Sequence, residues 1–189
     1  MLKPLADVRR AVAKGCARPS AGFSLLELVV VIVIIAFLMV IAIARLMAMQ
    51  AEAERVAMAT VAGTLRSALG MMVAESIVRQ DVGRLAALEG SNPMTRLAEL
   101  PPNYLGEIDH PDAGRLEDGN WYFDRSDRTL VYLVRNKTHF SGGISDPPRA
   151  RFAVQLVYGD KNRNGKYDAG IDSIEGLRLS PVEPYQWVR

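Results

Sequence analysis

The chain has 189 residues, with 23 Lys and Arg against 21 Asp and Glu. So even a balance offers no electrostatic basis for binding nucleic acid. The charges are unevenly placed, because residues 1–22 hold Lys3, Arg9, Arg10, Lys14 and Arg18 against Asp7 alone.

Residues 1–22 read as a basic leader, interrupted by Pro4, Gly15 and Pro19. A basic segment ahead of an apolar run predicts a cytoplasmic N-terminus and an exported remainder. Cys16 is the only cysteine and lies in this leader. The exported part therefore has no internal disulfide, although its compartment permits one.

Residues 23–44 are apolar except for Ser24 and Glu27. As a helix they reach about 33 Å, enough to cross a hydrocarbon core of about 30 Å. Glu27 is out of place there, since a lone acid in a bilayer helix costs about 2.5–3.5 kcal/mol. A secretory signal peptide would use Ala42-Ile43-Ala44 for cleavage, but the run exceeds an ordinary signal-peptide core. A plain single-pass anchor explains the length and leaves Glu27 without a partner.

Helix-forming residues continue through 46–80, with no proline between Pro19 and Pro93. The expectation is one helix of roughly 55 residues, apolar all round and then amphipathic. Its later apolar positions include Leu46, Met49, Ala53 and Val56, then Leu65, Leu69, Met72, Val73 and Ile77. Gly63 and Gly70 allow close packing or a slight bend, or are simply tolerated.

Residues 81–119 read as a connection, with short helical turns at 85–88 and 95–100, the second ended by Pro101 and Pro102. Trp121 to Phe123 and Leu130 to Val134 flank the polar turn Asp124 to Arg128, which predicts an antiparallel hairpin. Asp124 and Asp127 are turn residues on this reading, and the three aromatics are core and rim. Residues 135–150 form a loop. A third strand covers Arg151 to Tyr158, with Phe152, Val154, Leu156 and Tyr158 on one face, and a fourth covers Ser173 to Leu179. The fold class is α+β, a long N-terminal helix whose amphipathic half covers a small antiparallel sheet. The organisation is a leader at 1–22, a membrane or filament-core helix at 23–45, its amphipathic continuation at 46–80, and a head at 81–189.

Residues 160–172 place Asp160, Asn162, Asn164 and Asp168 at alternating positions around Gly165. Together with the Lys166 carbonyl and Asp172 they match a calcium loop, in which oxygens converge on one hard cation. The end of the loop departs from an EF-hand, since its twelfth residue is Ile171. It resembles the shorter loops of thrombospondin-type and dockerin-type repeats. Lys161, Arg163 and Lys166 argue for weak binding, and a polar turn needing no metal explains the same residues. His110 and His139, the only histidines, lack the company a zinc site needs. Asn136-Lys137-Thr138 matches a glycosylation acceptor, a pattern short enough to arise by chance. No catalytic constellation is visible, so no enzymatic activity is expected.

The junction GFSLLELVVVIVIIAFL resembles the class III signal of type IV prepilins and of the pseudopilins of type II secretion. The resemblance is close over residues 15–50 and architectural beyond them. It implies that a prepilin peptidase cuts between Gly22 and Phe23 and that Phe23 is then N-methylated. It places Glu27 at the family's glutamate, where it would pair with the Phe23 amine of a neighbouring subunit. It also implies an inner-membrane precursor that meets an assembly platform, packs with other pilin or pseudopilin subunits and joins a periplasmic or surface filament. Adhesive pilins often carry a mid-helix proline and a C-terminal disulfide, and this chain has neither. Several pseudopilins use a calcium loop in place of that disulfide. The alternative from another class is a membrane-anchored, extracytoplasmic calcium-dependent binding domain.

Overall fold

A computed structural model describes residues 23–144 and 146–188, without the side chain of Ala48. The leader, with Cys16 and Gly22, lies outside the described residues. The chain divides between Ile43 and Ala44 into two units.

The first helix, α1, runs from Leu25 to Val78, 54 residues, in agreement with the expected helix of roughly 55. Its C-terminal stop carries no glycine. Gln80 takes a positive φ of 56°, and two backbone bonds close the end, Gln80 N–H to the Ile77 carbonyl at 3.1 Å and Asp81 N–H to the Ser76 carbonyl at 3.0 Å. These are the two bonds of a Schellman cap, built here on glutamine.

In the first unit, every described side chain from Phe23 to Ile43 is exposed. The helix is long and apolar enough to cross a membrane.

In the second unit, α1 buries Ala51, Met58, Ala62, Leu65 and Leu69. Their spacing of three, four or seven residues puts them on one face. The expected stripe through Leu46, Met49, Ala53 and Val56 is corrected, since all four are exposed, as is Ile77. A segment apolar on several sides has no single period to read, so the sheet selects the inward face. Leu65, Leu69, Met72 and Val73 are buried or half-buried as expected. Gly63 and Gly70 leave α1 unbroken, and a Cβ on either would meet nothing within 4 Å. Neither supports close packing inside the subunit.

Seven strands follow: β1 Tyr104–Ile108, β2 Trp121–Asp124, β3 Thr129–Leu133, β4 Phe140–Gly142, β5 Arg149–Gly159, β6 Ser173–Pro181 and β7 Tyr185–Trp187. Five form a sheet in the order β1-β2-β3-β5-β6, and β4 pairs with β7. The hairpin and the third and fourth strands fall where the residue patterns put them. Three short strands do not. β1 lies in the stretch read as a connection and runs parallel to β2, so the sheet is mostly, not wholly, antiparallel. The β1 register shifts between Tyr104 and Glu107, around Gly106 at φ 96°, so Tyr104 packs on the main core and Ile108 on the opposite face, which erases the apolar alternation a strand normally shows. β4 and β7 have three residues each, too short for any period. An aromatic cluster joins them, with Phe140 stacked on Tyr185 at 5.7 Å and edge-on to Trp187 at 5.2 Å.

The connection holds 3₁₀ turns at Val82–Leu88 and Pro93–Arg96. The second starts earlier than expected because Asn92 caps it, accepting the Met94 N–H at 3.0 Å. Pro101 does not end it, and its carbonyl instead accepts the Tyr104 N–H at 3.0 Å.

The main core packs Met58, Leu65 and Leu69 of α1 with Trp121, Phe123, Phe152 and Val154 of the sheet. Tyr122, Val131 and Leu133 point the other way and are covered by Ile108, Ala113 and Leu116. Residues 103–119 are thus a second cover, which explains why both faces of the hairpin are buried. Asp124 accepts the Ser126 N–H at 2.9 Å inside the turn. Asp127 does more than turn the chain, since it pairs with Arg151 at 2.8 Å, and Arg151 also pairs with Glu183.

Candidate functional site

Two places carry the residues singled out in the sequence, the start of α1 and the loop between β5 and β6. At the first, Phe23 is 69% exposed. Ser24 precedes the first helical residue, and its Oγ accepts the Glu27 N–H at 3.1 Å. Ser24 is therefore the N-cap of α1, satisfying one of the otherwise unpaired amides of the first turn. The spacing Ser24-x-x-Glu27 is that of a capping box, a signal present in the sequence and missed there. Only half of the box forms. The Glu27 backbone is engaged, whereas its carboxylate has no partner among the described residues. Ser24 thus sets where the helix begins and leaves the acid free on an apolar surface.

At the second, strands flank the loop on both sides, as the sequence suggested. Asp160 Oδ2 accepts the Gly165 N–H at 2.8 Å, with Gly165 at φ 76°. Asn162 and Asn164 both donate their side-chain amides to Asp168 Oδ2, at 2.7 and 2.6 Å. Asp172 is buried and holds the loop closed, accepting the Lys161 N–H at 2.9 Å and the Asp168 N–H at 2.8 Å. Asp160, Asn162, Asn164 and Asp168 are thereby linked in one hydrogen-bonded loop, while Asp172 acts as its backbone clasp. Among the described residues, no three His, Cys, Asp or Glu side chains gather closely enough to hold a metal ion. Burial, then the carboxylates of Asp160 and Asp172, hold the Tyr158 hydroxyl above its ordinary pKa.

A third site was not read from the sequence. Glu54, on α1, receives four hydrogen bonds from β3 and the chain just after it. Tyr132 Oη donates at 2.9 Å and the Arg135 N–H at 2.7 Å to one oxygen. The Asn136 N–H at 2.8 Å and Asn136 Nδ2 at 2.6 Å donate to the other. Asn136, the glycosylation candidate, is thus engaged in holding helix to head. His139 also lies here, its Nδ1 3.3 Å from the Val188 carbonyl. His110 is exposed at a positive φ of 49°.

Comparison with curated proteins and with solved structures found no match. A family description does match, the prokaryotic N-terminal methylation motif, over residues 17–43. It covers the end of the basic leader, the Gly22–Phe23 junction, Ser24, Glu27 and the apolar run, which are the features assembled above. Residues 17–43 match this motif, which supports a type IV pilin-like prepilin signal at the start of the chain.

Proposed function

We propose that the mature chain is a structural subunit of a type IV filament, and of a type II secretion pseudopilus or a minor pilin in preference to a major adhesive pilin. The observation that carries this reading is the Glu27 carboxylate, exposed on an apolar helix and without a partner among the described residues. Cleavage between Gly22 and Phe23 would create a positive amine four residues away in sequence. Methylation would fall on Phe23. Two buried opposite charges offset part of each other's desolvation, which a single one cannot. The precursor would sit in the bacterial inner membrane with its N-terminus cytoplasmic and its head periplasmic, then pass through the assembly platform into the filament. Mass spectrometry of the mature protein tests this directly. An N-methylated Phe23 is expected. An intact Met1 would instead favour the anchored binding domain.

The preference for a pseudopilin rests on the loop at 160–172 and on the lack of any cysteine after Cys16. Calcium fits the donor set, which is all oxygen. Asn162 Oδ1 and Asn164 Oδ1 accept the Asn164 and Lys166 N–H at 3.2 and 2.7 Å, so both side chains would have to swing their oxygens inward to meet a cation. Asp160 and the Lys166 carbonyl would complete the set, with Asp172 holding the loop behind it or joining as a ligand. Affinity of about 10⁻⁴–10⁻³ M is expected, as in extracellular modules. Millimolar calcium should raise the melting temperature of the detergent-solubilised protein, and Asp160→Ala should remove the increase. A melting curve indifferent to calcium would exclude the site.

A further inference from the structure

On the filament reading, which the following contact rests on, the heads of successive subunits must meet. A groove of about 270 Å³ lies at the C-terminal end of α1, and its charged lining is Glu75, Arg79, Asp81, Arg84 and Arg96. Arg79 pairs with Glu75 at 2.7 Å. Arg84 and Arg96 are exposed and have no carboxylate partner among the described residues. Beside the groove, Ile77 and Val78 are exposed apolar residues.

The opposite end of the second unit is marked by Glu54. There Arg135 and Asn136 bond to Glu54, Arg135 Nη2 donates to the Asp118 carbonyl at 3.2 Å, and Lys137 pairs with Asp118 at 2.8 Å. The adjacent Glu117 is exposed, and its carboxylate has no partner among the described residues. Val188 supplies an exposed apolar neighbour, its N–H bonded to the His139 carbonyl at 2.8 Å. From Glu54 to Glu75, α1 rises about 32 Å.

Unpaired guanidiniums at one end and an unpaired carboxylate at the other are complementary on two copies and out of reach on one. A contact between two different surfaces is heterologous, and when it does not close it propagates as a filament. We infer that the Glu117 turn of one copy docks in the Arg84–Arg96 groove of the next, as a charge-assisted contact flanked by Val188 on one side and Ile77 and Val78 on the other. The occupant is a second copy of this chain because Arg84 and Arg96 outnumber Asp81, the groove's one carboxylate without a partner among the described residues, and the far end offers the free Glu117.

The test uses the full chain, in a cell that processes and assembles it, with filaments counted by electron microscopy. R84E/R96E and E117R should each lower filament yield by about tenfold or more, with N-terminal processing and near-ultraviolet circular dichroism unchanged. Combining the three substitutions should restore filaments. Normal filaments from R84E/R96E would overturn the contact, and so would failure of the combined variant to recover. An unaltered chain that makes no filaments would overturn the filament reading itself, a distinct result.

Discussion

Glu27→Ala is expected to leave cleavage at Gly22–Phe23 intact and to abolish assembly. On the proposed reading the peptidase would meet the junction in the precursor, before any subunit contact exists. The Ser24 cap also survives, because it uses the Glu27 backbone N–H and not the side chain. Helix start and membrane insertion should therefore be kept. What would disappear is the proposed partner for a neighbouring subunit's Phe23 amine. That amine would then be buried alone, a change that costs about 3–5 kcal/mol when one member of a buried pair is removed. Glu27→Gln keeps the shape and a hydrogen-bond acceptor and should assemble poorly as well, which separates charge from packing. Immunoblots of precursor and mature forms, with filament counts, read both outcomes. Normal filaments from Glu27→Ala would end the pairing argument, whatever became of processing.

The residues that reported themselves in sequence did so through a period or a fixed spacing. The helix from Leu25 to Val78 has no proline and long runs of good formers, and the hairpin has β-rich segments around a polar turn. What stayed hidden lacked both signals. β1 lost its alternation to Gly106, and β4 and β7 are three residues long and held by aromatic packing across a sequence distance of about forty residues. The buried face of α1 could not be chosen from its own pattern, because Leu46, Met49 and Val56 look as apolar as Met58 and Leu65. The difference lies in the sheet, where Trp121 and Phe152 meet Met58, Leu65 and Leu69. The junction was legible because its residues act through the chain itself. Its basic leader, Gly22–Phe23, Glu27 and apolar run stand in one short stretch, although the Ser24–Glu27 cap within it went unread. Glu54 was not legible, since a glutamate on an amphipathic helix looks solvated until the donors at Tyr132, Arg135 and Asn136 are brought to it from about eighty positions away.

Glu54→Ala is expected to be the most destabilising single change outside the apolar core. Four donors lose their acceptor together, and hydrogen bonds to a charged group are each worth about 1.5–3 kcal/mol. They do not add, because Arg135 is exposed and Asn136 only half-buried, so water can replace part of what is lost. The Tyr132 hydroxyl cannot be rescued so easily. Its residue is 4% exposed, and burial, followed by the Glu54 charge, pushes its pKa well above the ordinary tyrosine value. It therefore stays a neutral donor throughout the physiological range, and removal of Glu54 leaves it buried and unpaired. A net loss of about 3 kcal/mol is expected. For a unit of this size that lowers the melting temperature by roughly 10 °C. Tyr132→Phe should cost less, since it removes one donor and leaves three. The double variant Glu54→Ala with Tyr132→Phe should be less damaged than the two single losses combined, because the orphaned hydroxyl is gone. Near-ultraviolet circular dichroism of the detergent-solubilised protein, dominated by the buried Trp121, follows the transition. Additive losses would mean that Tyr132 and Glu54 act independently, and a shift below about 2 °C for Glu54→Ala would mean that the helix holds the head through its apolar face alone.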